Sequence, residues 1–259
     1  MASPHRPVSD LDLLLPRDAV VHGQALLREI GFNARAPLSD DRVDRHHHLH
    51  AATKRVDGVL VQVELHHHAL SEDYDVSMAF DDCRETPMTF DVGGREALTL
   101  GPHDMLRHLC RHLLGPLPRP MRLIWVADVF GCAEAFSARL DWALLARRHP
   151  AVLNVLGVAN GLTPLPEAVR RHVPPAVLSR FEDLGTNPSA WSWMPPESEP
   201  GGQRRRLRRA LDPPAWWLAL QYGRGGRRQA WWNRLRHLRV LARIAWRRAP
   251  TGFRKSGPE

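Results

Sequence analysis

The chain is poor in cysteine and contains no apolar run long enough to cross a bilayer. Its three cysteines, Cys83, Cys110 and Cys132, are too few and too scattered for a disulfide framework. No uninterrupted apolar segment approaches the roughly 18 residues of a membrane-spanning helix. A basic start followed by an apolar core, the pattern of a signal peptide, is also missing. These features predict a protein of the reducing cytoplasm, without a transmembrane segment.

Acidic residues are scarce in the carboxy-terminal part of the chain. Between Arg204 and Arg248 fourteen arginines stand against a single acid, Asp212, so this segment carries a net charge of +13. The whole chain carries +8, and the remainder must therefore carry −5. The basic character belongs to the carboxy-terminal segment and not to the whole molecule.

The residues that are present predict globular structure, since 43% of the chain is hydrophobic. A short strand at Val8–Leu15 is followed by a helix at Arg17–Ile30, which Gly31 is placed to end. Asp57–Gly58 is a hairpin turn between two extended stretches. The second of these shows regular alternation: one face carries Val59, Val61, Val63 and Leu65, and the other carries Gln62, Glu64 and His66.

The character of the sequence changes after Pro102, where apolar residues recur at helical spacing. We therefore predict an α+β domain over residues 1–100 and a helical domain over residues 101–188. Residues 189–202 are rich in proline, serine and glycine and are typical of a linker. Residues 189–259 form this linker and an arginine- and tryptophan-rich basic tail.

Two aspartates lie two residues apart in the first predicted strand, in the stretch VSDLDLLLP. In a strand Asp10 and Asp12 share one face, where their like charges repel each other. A divalent cation such as Mg²⁺ would neutralise the pair and could also bind substrate phosphates. The alternative is that one or both aspartates lie in a solvated turn.

Glu64 lies on the polar face of the second strand of the hairpin. A single glutamate at such a position is often no more than a solvated residue. An aspartate pair on one strand and a third acid on a neighbouring strand, however, is the arrangement that two-metal nucleotidyl transfer requires.

Five segments, in this order, resemble the uncharacterised nucleotidyltransferase family of the DNA polymerase beta-like superfamily: HRPVSDLDLLLPRDAV, RHHHLH, VLVQVELHHH, LGPHDMLRHLCRHLL and RLIWVADVF. The resemblance implies that a small mixed β-sheet carries the acids and is followed by helices. With the residue patterns above, we predict an α+β fold with a helical bundle and a basic carboxy-terminal helical segment. The resemblance also implies that Asp10, Asp12 and Glu64 bind two Mg²⁺ ions, or Mn²⁺, and that Glu64 activates an acceptor hydroxyl. The donor would be a nucleoside triphosphate such as ATP, and the acceptor a small molecule, a peptide or RNA.

The sequence departs from this family at its beginning. Members of the superfamily carry a helix and a glycine-containing phosphate loop before the aspartate pair, whereas only nine residues precede Asp10 here. Two explanations remain open: the true start lies upstream, or the chain is a shortened and inactive relative. The rival hypothesis is accordingly a non-catalytic protein that binds a nucleotide or a partner.

Histidines are dense around the hairpin, at His46, His47, His48, His50, His66, His67 and His68. They could bind Zn²⁺. Alternatively they are solvated or line an acceptor pocket, in which Gln62 and His66 would contact the substrate. The pair His108 and His112 is interpreted as ordinary helix surface. Asp128 is expected in a structural ion pair, with Arg122 or another arginine as its partner.

The basic tail contains a predicted amphipathic helix with an apolar stripe at Trp231, Leu235, Leu238, Ala242 and Ala245. Three interpretations remain open. The stripe could dock the helix on the bundle, the helix could lie on a membrane surface, or its arginines and tryptophans could contact RNA.

Overall fold

The chain forms two compact units, Met1–Glu85 and Thr86–Glu259. The structure is a computed structural model that describes residues 10–35, 48–70, 78–83, 87–114, 123–181, 208, 210–222 and 227–248. The first unit contains β1 (Leu11–Leu14), α1 (Val20–Glu29), β2 (Ala52–Val56), β3 (Val59–His66) and α2 (Phe80–Cys83). The second contains β4 (Met88–Val92), β5 (Arg95–Thr99), α3 (Pro102–Leu114), α4 (Leu123–Ala135), a 3-10 turn (Ser137–Arg139), α5 (Trp142–Arg148), α6 (Pro150–Leu162), α7 (Glu167–Arg170), α8 (Pro175–Arg180), α9 (Ala215–Tyr222) and α10 (Arg227–Arg248).

The predicted α+β class is confirmed, with a three-stranded and a two-stranded sheet followed by helices. The boundaries at residues 100 and 188 stay predictions. The first nine residues, His46, His47, Arg122 and the proposed linker at residues 189–202 lie outside the described residues.

The sheet of the first unit has the order β1-β3-β2, with β1 parallel and β2 antiparallel to the central β3. The predicted hairpin turn joins β2 to β3. Asp57 and Gly58 both have positive φ, 50° and 82°, and this left-handed pair gives a two-residue turn whose twist matches that of the flanking strands. The turn fixes the register of β3 against β2 and so fixes which of its residues share a face.

Helix α1 connects β1 to the rest of the sheet and packs on β3. It begins at Val20 and not at Arg17, because Pro16–Ala19 forms a turn in which the Ala19 N–H donates to the Pro16 carbonyl at 3.0 Å. Gly31 follows the helix with φ 89°, as expected for the residue that ends it. The apolar core between helix and sheet is formed by Leu27, Ala52, Val63 and Leu65. The opposite face of β3 is therefore left to its polar residues.

In the second unit the core surrounds α6. Every residue from Ala151 to Ala159 is buried, which is the pattern of a helix enclosed by neighbours on all sides. Asp141 caps α5 by accepting a hydrogen bond from the Leu144 N–H at 2.8 Å. The paired strands β4 and β5 are joined by Gly93 and Gly94, both with positive φ. The helical style expected after Pro102 is confirmed by α3 to α6.

His149 at the α5–α6 junction makes the second unit sensitive to acid. Burial lowers the pKa of His149 from 6.5 to about 4, and the charges of Arg107 and Arg111 act in the same direction. Below pH 6.5 the unfolded chain therefore takes up a proton that the folded chain does not, and the free energy of unfolding falls as the pH drops towards 4. Because the side chain is only partly buried, we expect a loss of about 1–2 kcal/mol.

Urea unfolding at a series of pH values measures this loss. All nine tryptophans lie between Trp125 and Trp246, so tryptophan fluorescence follows the second unit alone. The His149→Gln variant is expected to flatten the decline. Part of the slope will remain, since burial also lowers the pKa of His237. An identical pH dependence in the variant and the parent would contradict this assignment.

The basic helix α10 packs through a different face from the one predicted. Its buried residues are Asn233, His237, Val240 and Ile244. His237 donates a hydrogen bond from Nε2 to the Ala210 carbonyl at 2.6 Å, and its Nδ1 lies 3.1 Å from the Tyr222 hydroxyl. The prediction that the Trp231 stripe docks the helix is therefore wrong. Hydrogen bonds to α9 and to the segment before it select a partly polar face, which apolar periodicity cannot reveal.

Among the described residues all three cysteines are buried and unbridged, as expected from their number and spacing. Burial raises the pKa of Cys110 well above its ordinary range and that of Cys132 to about 11, so these two remain protonated thiols that react slowly. Within the described ranges, no helix has both the length and the apolar character needed to span a bilayer.

Candidate metal centre

The register between β1 and β3 places Asp12 beside Glu64. The two strands run parallel. Their register pairs Leu11 with Val63 and, at the next position, Asp12 with Glu64. Residues paired across neighbouring strands point to the same face, and the strands lie about 4.8 Å apart. Two carboxylates from segments separated by more than fifty residues are thereby brought side by side. The face is the polar one, because Val63 is buried against α1 on the other.

His66 joins the two carboxylates. It follows Glu64 by two residues in β3 and therefore shares its face. Its Nε2 lies 3.2 Å from Oδ1 of Asp12 and 3.6 Å from Oε2 of Glu64. An ionised carboxylate can only accept, so Nε2 carries the hydrogen in the contact with Asp12. A single imidazole thus separates and partly compensates two like charges.

Two further side chains orient Glu64 from either end. Gln62 donates a hydrogen bond from Nε2 to Oε1 of Glu64 at 3.1 Å. His48 lies on the other side, with Nδ1 3.7 Å from Oε2 of Glu64. That same Nδ1 lies 2.7 Å from the Leu49 carbonyl, so it is the protonated nitrogen. The His48 ring packs at a tilt on His66, with ring centroids 5.0 Å apart. Oε1 of Glu64 thus accepts a hydrogen bond, and Oε2 lies within 3.7 Å of the two imidazole rings.

Exposure differs sharply across the group. The side chain of Asp12 is 59% exposed, that of Glu64 21% and that of His66 11%. Asp12 is therefore accessible to a ligand in solution, whereas His66 forms the floor of the group.

The donor set fits a divalent cation. Asp12, Glu64 and His66 each offer one donor atom, and these atoms all lie within 4.8 Å of one another. Donors on opposite sides of an ion such as Mg²⁺ or Mn²⁺ are about 4 Å apart. Small side-chain rotations, together with a shift of the His66 ring hydrogen from Nε2 to Nδ1, would bring all three into its coordination shell. Carboxylates suit Mg²⁺ and Mn²⁺, and an imidazole favours a transition ion over Mg²⁺.

Among the residues that the structure describes, the group of possible metal donors consists of Asp12, Glu64 and His66 and does not include Asp10. It is half-buried and directly precedes β1, and it has the same parity as Asp12. Continuing the strand register by one step places it level with Gln62, whose amide already contacts Glu64. The structure thus brings Asp12 and Glu64 together with His66. Asp10 lies two residues before Asp12, on the same side of the strand.

The sequence predicted that His66 and Gln62 would contact the substrate. One feature of the sequence could have predicted the contact of His66 with the carboxylates. His66 lies two residues after Glu64 in an alternating strand and therefore shares its face. Gln62 has the same spacing on the other side. The distance from His66 to Asp12 depended on the β1–β3 register, which no local pattern specifies.

The remaining candidate residues lie elsewhere. The ring of His50 lies 3.5 Å from Arg35, and His67 is buried against the ring of His68. On α3 the rings of His108 and His112 stack with centroids 5.9 Å apart, and His112 packs edge-on against Trp125. Asp128 is half-buried on α4, and the side chain of its expected partner lies outside the described residues.

The protein is thus an α+β protein in which a parallel strand pair presents two carboxylates and a histidine, a group that could hold a metal ion, on one face. Comparison with models of known families then matches residues 2–154, more than half of the chain, to the family described as an uncharacterised nucleotidyltransferase. The chain belongs to this family. The match covers the strands that carry Asp12 and Glu64 and the helices α3 to α5. No curated protein and no solved structure matches the chain.

Proposed function

We propose that this protein is a metal-dependent nucleotidyltransferase that moves a nucleoside monophosphate from a nucleoside triphosphate to an acceptor hydroxyl. The observation that carries the proposal is the pairing of Asp12 with Glu64 across β1 and β3 in a chain of this family. Asp12 and Glu64 would hold Mg²⁺ or Mn²⁺ together with His66, and Asp10 would extend the set towards a second ion. When bound there, a cation neutralises charge on the phosphate oxygens of the transferred group.

In this reaction Glu64 would act as the general base. Its carboxylate is mostly shielded, and Gln62 holds one of its oxygens. The acceptor hydroxyl loses its proton to Glu64 while its oxygen forms a bond to the α-phosphorus. The bond from that phosphorus to the oxygen bridging to the β-phosphate breaks, and pyrophosphate leaves. The side chain of Asp12 is 59% exposed, which makes it accessible to a triphosphate in solution.

Label transfer tests this function. The full chain is incubated with nucleoside triphosphates labelled at the α-phosphate, with Mg²⁺ or Mn²⁺, and with extracts that supply small-molecule, peptide and RNA acceptors. We expect label in one acceptor fraction, abolished by chelation and by Glu64→Gln. The matched control is Glu29→Gln, at an exposed glutamate on α1 in the same unit. Transfer that survives Glu64→Gln, or transfer lost equally in both variants, would contradict the role of Glu64.

Calorimetric titration separates transfer from simple binding. A chain that binds triphosphate with Mn²⁺ and releases no pyrophosphate with any acceptor fraction would be a binding protein of this family. Titration of Mn²⁺ alone reports on the carboxylates without reference to turnover. Loss of that binding in the Glu64→Gln variant is the expected result.

A further inference from the structure

Helix α10 presents an apolar stripe to the outside of its unit. Trp231 is 57% exposed, Leu238 is 46% exposed and Trp246 is 62% exposed. At 100° per residue these side chains fall on one side of the helix, along with Leu235 and Ala242. The residues that pack against the unit, described above, lie on the opposite side. The stripe is therefore a second face of α10, distinct from the face that anchors it.

Arginines flank this stripe along both edges. On a helical wheel Arg234 lies on one side, and Arg236, Arg239 and Arg243 lie on the other, all of them exposed. The sequence of α10 contains no acidic residue. Arg234 forms an ion pair with Asp212 at 3.1 Å, and Arg236 lies over the Tyr222 ring at 5.5 Å from its centroid. Because the helix has arginines and no acidic residue, the charge that it presents to a partner is positive.

We propose that this face of α10 binds the surface of an anionic lipid membrane. Tryptophan and leucine side chains in a continuous stripe enter the boundary between headgroups and acyl chains, and arginines beside the stripe reach the lipid phosphates. A helix of 22 residues is about 33 Å long and would lie in the plane of the membrane. Its other face stays packed on α9, so binding does not require the helix to leave its unit.

The aliphatic part of the stripe favours a membrane over RNA. Arginine and tryptophan could serve either partner, through phosphate contacts and base stacking. Leu235, Leu238 and Ala242, however, run between the tryptophans, and side chains of this kind neither stack with bases nor contact phosphates. A lipid surface would bury every side chain of the stripe, whereas RNA would leave the apolar side chains at its centre in contact with water. The charge pattern and the apolar pattern thus agree only for a lipid surface.

Co-sedimentation of the full chain with vesicles tests the proposal. We expect binding to phosphatidylcholine vesicles containing about a third phosphatidylglycerol, and at least about tenfold weaker binding to pure phosphatidylcholine, since cationic residues each add to the attraction. Replacement of three exposed residues of the stripe, Trp231→Ser, Leu238→Ser and Trp246→Ser, should lower binding to the anionic vesicles at least about tenfold. The matched control replaces three exposed apolar residues outside α10, Leu98→Ser, Leu123→Ser and Ile124→Ser, and should bind like the parent.

A second variant keeps the test independent of the tryptophans. Arg239→Gln with Arg243→Gln leaves the stripe intact and should lower binding to anionic vesicles to near the level seen with neutral ones. Absence of vesicle binding by the parent would overturn the proposal, as would unchanged binding after the triple substitution. A single-stranded RNA oligonucleotide that binds when anionic vesicles do not would overturn it in favour of a nucleic-acid partner.

Discussion

The Asp12→Asn variant is expected to lose at least about 10³-fold of the proposed nucleotidyl transfer activity, which corresponds to about 4 kcal/mol of transition-state stabilisation. The substitution preserves the shape of the side chain and removes its charge. It also weakens the contact with His66, because a neutral amide oxygen replaces the charged Oδ1 that lies 3.2 Å from Nε2 of His66. Initial rates of label transfer at saturating triphosphate measure the effect.

The control for this variant is Asp18→Asn. Asp18 is an exposed aspartate in the turn before α1, outside the group of metal donors. It should leave both the rate and the Mn²⁺ affinity unchanged. If Asp12→Asn keeps full activity, the cation is held by other residues and the pairing of Asp12 with Glu64 is structural. If the parent has no transfer activity and Asp12→Asn loses Mn²⁺ binding, the site binds a cation but does not catalyse transfer.

The Gly157→Val variant is expected to destabilise the second unit by about 3 kcal/mol. A Cβ at Gly157 would lie 2.8 Å from Cγ1 of Val177, 3.0 Å from the Val177 carbonyl oxygen and 3.1 Å from Cδ2 of Phe181. Val177 could rotate its side chain, but its carbonyl oxygen belongs to the backbone of α8. Phe181 is 1% exposed and is held by the surrounding core. The contact between α6 and α8 must therefore open to admit any side chain.

Gly131→Val is the matched control, with the same substitution in α4 of the same unit. A Cβ at Gly131 meets no atom within 4 Å. Helix propensity slightly favours valine over glycine, so this variant should stay within about 0.5 kcal/mol of the parent. Urea unfolding followed by tryptophan fluorescence compares the two variants. Equal midpoints for both would show that α6 and α8 are not in close contact at Gly157.

Much of the first unit followed from local patterns. The alternation of β3, the left-handed turn at Asp57–Gly58 and the end of α1 at Gly31 are all confirmed. Each depends on physical preferences that act over a few residues: the two faces of a strand, the φ angles of a tight turn and the exit from a helix. The start of α1 was displaced because a turn after Pro16 uses the residues that periodicity assigned to the helix.

The acids were recognisable by type and spacing, but their grouping was not. Parity predicted that Asp10 and Asp12 share a face, and both remain candidates for the same site. Which of them lies beside Glu64 depends on the register of a parallel pair, where a shift of two residues would exchange Asp12 for Asp10. Leu27 of α1 packs in one apolar cluster with Leu65 of β3, a contact between residues far apart in sequence that no local pattern specifies.

The basic tail shows the same limit more strongly. The sequence determined that α10 is a helix with an apolar stripe and an excess of arginine. It could not determine which side faces the protein, because periodicity identifies apolar faces and says nothing of the hydrogen bonds that favour another one. The tertiary structure decided this through His237, whose contacts with the Ala210 carbonyl and Tyr222 bury a polar side of the helix and leave Trp231 outside. Residue types and local geometry are written in the sequence, whereas register and the choice of face arise only when distant segments satisfy one another's packing and hydrogen bonds.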